Sequence, residues 1–592
     1  MRPLPPRLAK PRRPLAPTRL GLEWLEDRDT PTAYFVSSFA DDGSAGTLRS
    51  VLTQANADGA AAGADTITFT ADGTVTLSLG ELPITRTAGD VTIDGGGHAV
   101  TVSGNHASRV FNVGSGVTAT LTGLTITQGS ASQAGGVMNQ GLLAVMNSTV
   151  SGNTATTFGG GVYNDSGTLN VTNSTVSGNS GSGGGVYNDS GTLNVTNSTV
   201  SGNSGTGGIS GSGGALTLTN SIVANNGGGD LFLAGITTAG SHDVIGDGTG
   251  VGSTFTASFS GDPLLAPLGN YGGPTQTTPL LPGSPAIDAG AAAGAPAADQ
   301  RGLSRVGAVD IGSTESQGYT LAPVAGSTPQ AAVGGAAFTN PLAVIVTPNN
   351  PNDPVNGGLV TYTAPGAGAT AALSGGSAAI SGGQAAVTAT ANGTRGGYTV
   401  TAAAAGAATP VDFSLTNVLQ PMFTSLGSDS IGYGTATEVL TGTLAAGATP
   451  ATGGVTVTIS GNGITPLVQS ASLNGSGGFS ASFSTGALPV GATPYTVTYS
   501  YSAQDDFLAA SDGTTTLAVT PRAITVTANS GQGKVYGNVD PTLTYTVGGS
   551  GLVNGDTLPG ALSRAAGENV GPYAVTQGSL NGGGNYTLTF TP

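Results

Sequence analysis

Two hydrophobic periods run along this chain. Leu48, Val51, Leu52 and Ala55 recur at helical spacing within Gly46–Ala57 and predict one amphipathic helix. Beyond it the period shortens to two. Asp65–Phe69 (DTITF), Thr74–Leu79 (TVTLSL) and Asp90–Gly97 (DVTIDGGG) alternate apolar and polar positions and stop at turns, as strands with one buried face do. A helix ahead of a stack of strands predicts a cap over the open end of a sheet.

From about residue 100 to 230 the alternation becomes a repeat. Asn147, Asn173, Asn197 and Asn220 recur at steps of 26, 24 and 23 residues, and Gly159–Gly181 returns unchanged as Gly183–Gly205. Each unit carries two short strands, seen in Leu169 and Val171 followed by Val176. Aligned units place Leu143, Leu169, Leu193 and Leu216 in one column, Val145, Val171, Val195 and Leu218 in a second, and Val150, Val176, Val200 and Val223 in a third. Like residues one coil apart predict an all-β fold, a right-handed parallel β-helix with coils about 4.8 Å apart. The Gly triplets and Ser-Gly-Asn segments are its corners, since Gly and Asn tolerate positive φ.

Composition supports β structure and narrows the chemistry. The 592 residues include 101 Gly and no Cys, and only 8% are charged. Disulfides, thiolate nucleophiles and Cys-ligated zinc are therefore excluded. Residues 1–28 hold seven of the sixteen basic residues, leaving nine basic against 29 acidic in the remainder, a net −20. Such a body suits neither nucleic acid nor an anionic membrane, both of which need clustered Lys and Arg. No stretch has the length of a transmembrane helix. The Pro-rich basic start, residues 1–33, reads as a disordered or processed leader, but it lacks the apolar run of a secretory signal.

Several segments resemble known modules. Leu22–Arg28 (LEWLEDR) resembles the leader motif of large planctomycete surface proteins, which implies export. The GGGVYN and NSTVSGN units are similar to right-handed β-helix repeats of bacterial surface proteins, including polymorphic outer-membrane proteins, which places a cap and β-helix at 34–258. Gly261–Gly290 with Asp299–Gly302 and Gly307–Glu315 resembles a choice-of-anchor Q segment, spanning 259–317. Residues 318–417 and 418–520 resemble bacterial Ig-like sandwiches, the second with Tyr495, Val497, Tyr499 and Tyr501 on one face. Residues 521–592 resemble the MBG repeat of bacterial adhesins, which usually adds a further strand where this chain stops.

Candidate chemistry is sparse. Between residues 100 and 260 the acids are Asp165, Asp189, Asp230, Asp243 and Asp247, and the only Lys or Arg is Arg109. Asp165 and Asp189 hold the same place in consecutive coils, where they could share a calcium ion or a proton, or simply bond the backbone of an Asn-Asp-Ser-Gly turn. Asp505, Asp506 and Asp512 are a second calcium candidate, against the plainer reading of solvated loop acids. Calcium is the one cofactor these residues suggest. His98, His106 and His242 lack metal-ligand spacing, and Asp94–Gly97 (DGGG) lacks the Lys and hydroxyl of a phosphate loop.

Outward positions offer the clearest binding candidate. Thr172, Thr196 and Thr219 form one surface column, Asn170, Asn194 and Thr217 another, and Tyr163 and Tyr187 stack nearby. Flat polar ladders with aromatics suit carbohydrate or ice, although any soluble strand turns polar residues toward water. These features predict a secreted or cell-surface, adhesin-like or structural protein without catalytic residues. Its expected partner is polysaccharide or another cell-surface component. The alternative is an extracellular polysaccharide lyase or glycoside hydrolase acting through its β-helix, which would need carboxylates about 5 to 9.5 Å apart.

Overall fold

The structure, a computed structural model, describes residues 32–58, 63–247, 254–256 and 258–592. The leader expected at 1–33 lies almost wholly outside the described residues. The chain divides into two compact units. One runs up to Thr320 and includes Thr347–Leu359 and Ala404–Ala408; the other holds Leu321–Val346, Val360–Ala403 and Thr409–Pro592.

The first unit is a parallel β-helix. Its predicted helix is Leu48–Ala57, capped by Thr47, whose hydroxyl accepts from Ser50 N, and it buries Leu48, Val51, Leu52 and Ala55. That face packs against the strands Ala33–Val36, Asp65–Phe69 and Leu82–Ile84. Nearby, Arg86 and Asp65 form a buried pair at 2.7 Å.

The coils build three long sheets, one more than the sequence predicts, and seven of the coils contribute to all three. The first has ten strands, from Ala33–Val36 through Thr168–Thr172 and Thr192–Thr196 to Phe255–Thr256. The second has nine, from Gly73–Thr76 through Thr175–Ser177 to Phe259–Ser260. The third has seven, from Leu82–Ile84 through Val162–Asp165 and Val186–Asp189 to Leu231–Leu233. A four-stranded arm, Ser130–Ala131, Thr154–Phe158, Ser180–Ser182 and Ser204–Gly205, lies between the second and third sheets in chain order. The segment GGGVYND reads as a corner because of its glycines, yet it contains this third strand.

Registers confirm the predicted columns. Leu143, Leu169, Leu193 and Leu216 pair in line, as do Val145, Val171, Val195 and Leu218, and Val150, Val176, Val200 and Val223. A fourth column, Val137, Val162, Val186, Ile209 and Leu231, fills the third sheet's side of the same core. Each fully buried Val or Leu contributes about 1.5–3 kcal/mol. At the corners, Asn147, Asn173, Asn197 and Asn220 take φ of 44 to 52°. Gly160 and Gly161 serve a different need, because a Cβ on either would stand 2.4–2.5 Å from a carbonyl oxygen of the next coil.

Polar ladders run inside the helix. Asn153 donates to Asn179, Asn179 to Asn203 and Asn203 to Asn226, at 2.9–3.0 Å. Asn226 then donates to the Asp230 carboxylate at 3.0 Å, so the aligned amides end on an anion. A Ser column, Ser148, Ser174, Ser198 and Ser221, ends the same way, with Ser221 N donating to Asp243.

Residues 261–317 lie along the second sheet. The Gln300 side chain donates to Ser148 O and Thr149 Oγ1 and accepts from Thr175 Oγ1; Ser313 donates to Thr199 Oγ1; Asn220 and Ala291 bond in both directions. The Thr column of that sheet is therefore covered. Within the segment, buried Arg301 bridges Asp299 and Asp353, and Arg305 pairs with Glu315.

The second unit consists of β-sandwich-like sheets. A five-stranded sheet centred on Gly396–Ala403 and Val411–Val418 comes first, and another built on Tyr495–Tyr501 and Ala510–Thr520 follows. Tyr495, Val497, Tyr499 and Tyr501 share a buried face, as their alternation predicts. The last sheet pairs Arg522–Ala528 with Tyr545–Gly549 and Tyr586–Thr591, beside the hairpin Ser563–Arg564 and Val575–Thr576.

Candidate functional site

The ten-stranded sheet turns three files of side chains outward. One runs Phe35, Thr68, Asp94, Thr122, Met146, Thr172, Thr196, Thr219, Ser241 and Thr256, in unbroken register. The middle file contains Thr66, Thr92, Thr120, Ala144, Asn170, Asn194 and Thr217. A shorter one contains Thr118, Leu142, Thr168, Thr192, Ala215 and Thr237. Strand geometry spaces neighbours about 4.8 Å across coils and about 6.7 Å along each strand. The result is a two-dimensional grid of mainly hydroxyl and amide groups, interrupted by the strand Leu142–Met146, whose outward Leu142, Ala144 and Met146 are apolar.

The candidate residues Asn170, Asn194, Thr172, Thr196 and Thr219 all sit half-buried in this grid. Asn194 donates to Asn170 at 2.9 Å, which fixes both amides. Asp94 is the sheet's single outward charged side chain among the described residues, in a chain of net charge −16. Sequence reading missed the extension through Thr66, Thr92, Thr118, Thr120 and Thr122. Its signal was the Thr alternation in DTITF and TATLT, in coils that lack the clear repeat period.

Tyr163 and Tyr187 belong to another surface. They stack in register on the third sheet, with ring centroids 5.6 Å apart, and do not adjoin the Asn and Thr files in their own sheet. Phe158 from the arm covers them, at 4.5 Å from Tyr187 and 6.3 Å from Tyr163. With Ala134 and Met138 they form a satellite core, leaving Tyr163 only 5% exposed. The expected outward aromatic ladder is thus a partly closed cluster, with Tyr163 buried beneath half-buried Tyr187 and Phe158.

Asp165 and Asp189 do stack in consecutive coils. Each is held by protein donors: Gln140 donates to Asp165 at 2.8 Å, and Tyr163 OH and Ser212 Oγ both donate to Asp189 at 2.9 Å. Burial and the Asp189 bond push the Tyr163 phenol well above its usual range. Asp505 accepts from Thr452 at 2.8 Å and its carbonyl from Arg395, Asp505 and Asp506 have positive φ, and Asp512 accepts from Thr514 N and Oγ1. Among the described residues, no group of three or more His, Asp or Glu is placed to hold a metal.

The other candidate charged groups of the β-helix, Arg109, Asp230, Asp243 and Asp247, also have structural partners. Arg109 pairs with Glu81 at 2.6 Å and donates to the carbonyls of Ala134 and Gln133. Asp230 and Asp243 terminate the internal ladders, and Asp230 and Asp247 exchange backbone-to-carboxylate bonds. Burial raises the Asp243 carboxyl to about 7. In the covering segment, burial first and then the neighbouring Glu315 charge raise Asp310 to about 8.

Comparisons with known proteins support this architecture. The family described as right-handed beta helix region matches residues 86–245, and that described as MBG domain (YGX type) matches residues 524–592. No curated protein sequence matches the chain. Among solved structures, a domain of intimin is 16% identical over 34% of this chain and 95% of its own, with a TM-score of 0.14. An I-band fragment of titin is 15% identical over 42% and 84%, with a TM-score of 0.22, and tandem Ig repeats of Dlar are 14% identical over 35% and 99%, with a TM-score of 0.13. A right-handed β-helix joined to an MBG domain and further sandwich-like sheets fits a surface or structural protein.

Proposed function

We propose that this chain is a non-enzymatic, extracellular, adhesin-like protein that meets a neutral polysaccharide surface through the flat ten-stranded sheet of its β-helix. The observation that carries this reading is the nearly uncharged hydroxyl and amide grid. Hydroxyl groups both donate and accept, so a regular array of them suits a regular array of sugar hydroxyls. A face with almost no charge in an acidic chain avoids repelling a neutral or weakly acidic polymer.

The absence of catalysis is supported by how the acids are used. Asp165, Asp189, Asp230, Asp243 and Asp247 hold or terminate protein hydrogen bonds, and Arg109 is neutralised by Glu81. The resemblances to planctomycete leaders, a choice-of-anchor segment and Ig-like modules agree with display at a cell surface, where the sandwich-like sheets would act as spacers.

The test is incubation of the full chain with a polysaccharide panel, followed by assay for reducing ends and unsaturated products. The expected result is binding without turnover. Product formation that is lost in both Asp165→Ala and Asp189→Ala would instead establish the lyase or hydrolase reading.

A further inference from the structure

The MBG-matching part of the second unit holds a cleft of about 850 Å³, walled by the segments 532–543 and 562–575. Small-ligand sites usually occupy about 300–1,000 Å³, so this volume suits a short oligomer. Its wall carries four charges in alternation. Lys534 Nζ lies 2.7 Å from Asp540 Oδ1 and 2.9 Å from Glu568 Oε2, while Arg564 lies 2.9 Å from Asp540 Oδ1 and 2.6 Å from Glu568 Oε1. The guanidinium of Arg564 also stands 4.9 Å from the centre of the Tyr573 ring, whose hydroxyl donates to Asn569 O.

We propose that this cleft is a second binding site, selective for a neutral oligosaccharide and separate from the flat sheet of the β-helix. The two cations and two carboxylates cancel, so the cleft attracts neither sign of ligand strongly. A charged ligand gains only by displacing a bridge already made. A sugar hydroxyl can add to the ring without breaking it, because the carboxylates keep unused lone pairs. Asp540 meets both cations through Oδ1 and is solvent-exposed, so its carboxylate can still accept from a ligand. The exposed Asn569 side-chain amide, also in the wall, offers both a donor and an acceptor. Paired hydroxyl donors and acceptors are what these two groups would satisfy.

The apolar part of the cleft fits the same chemistry. Tyr536 is 71% exposed and Val570 is 91% exposed, and both line it beside the charged ring. Sugar rings present C–H faces to such side chains while their hydroxyls reach the polar wall. The cations hold Asp540 and Glu568 below the usual carboxylate range, keeping both as acceptors.

Isothermal titration of the full chain with neutral gluco-, manno-, xylo- and N-acetylglucosamine oligomers tests this. At least one oligomer binds, with an affinity that hardly changes from low to high salt. Asn569→Ala, Tyr536→Ala and Asp540→Asn each weaken it by about tenfold. The first two alter surface side chains, so a loss there does not reflect unfolding. Thr172→Lys, on the flat sheet, leaves this binding unchanged even where it abolishes attachment to insoluble polymer. The proposal is overturned if no oligomer binds, if all three cleft variants bind like the original chain, or if affinity collapses with salt as it would for an ionic ligand.

Discussion

Asparagine does two unlike jobs in this chain, and its burial separates them. Asn179 is fully buried; it accepts from Asn153 N and Nδ2 and donates to Asn203 and to Val150 O. Asn179→Ala strands those partners without water, and each orphaned group costs about 1–3 kcal/mol. Chemical denaturation is expected to show a loss of about 2–5 kcal/mol for Asn179→Ala, against about 0.5 kcal/mol for half-buried Asn170→Ala. Sequence reading placed both residues in the repeat but could not tell them apart. Asn170 lies in a visible alternation, whereas Asn179 sits in a Ser-Gly-Asn segment whose glycine suggests only a turn.

Asp310 and Asp243 make a second prediction at this scale. Burial raises both folded-state carboxyls, to about 8 and about 7. The unfolded chain releases these protons near pH 4, while the folded chain keeps them. Their contribution is therefore complete below pH 4, declines as pH rises, and is spent once pH passes the folded values. Compared with the original chain, Asp310→Asn should gain stability progressively from pH 4 to pH 8 and no further above it. Thermal denaturation across that range reads the difference; a gap that does not widen with pH contradicts it.

At the scale of elements, the segment 261–317 acts as a cover on the second sheet. Gln300 is its pivot, because one side chain engages Ser148, Thr149, Thr175 and Thr275. Gln300→Ala should speed amide exchange in 264–317 and at Thr149, Thr175 and Thr199, while strands of the ten-stranded sheet keep their protection. Exchange rising equally in both sheets would mean that cover and coil unfold together. The seat of this segment was not legible in the sequence, because Thr149, Thr175 and Thr199 look like any outward Thr column until a second element covers them. The third sheet was missed for a related reason. Gly160 and Gly161 are needed for close approach between coils, so the strand that follows them begins inside what reads as a glycine corner.

At the scale of the whole molecule, the repeat helix and the sandwich-like sheets that follow it were readable, because columns and alternation are local patterns. The candidate site was only partly so. The Thr and Asn files were visible over three coils and extend over nearly the whole ten-stranded sheet, whereas the Tyr pair expected beside them folds into a separate cluster under Phe158. Function then rests on whether the long uncharged face binds. The most direct measurement is co-sedimentation of the full chain with insoluble neutral polysaccharides, comparing the original protein with a Thr172→Lys, Thr196→Lys double variant whose fold is verified by circular dichroism. Saturable binding that falls about tenfold or more in the double variant is the predicted result. Equal binding by both proteins, or no binding to any polymer, would contradict it.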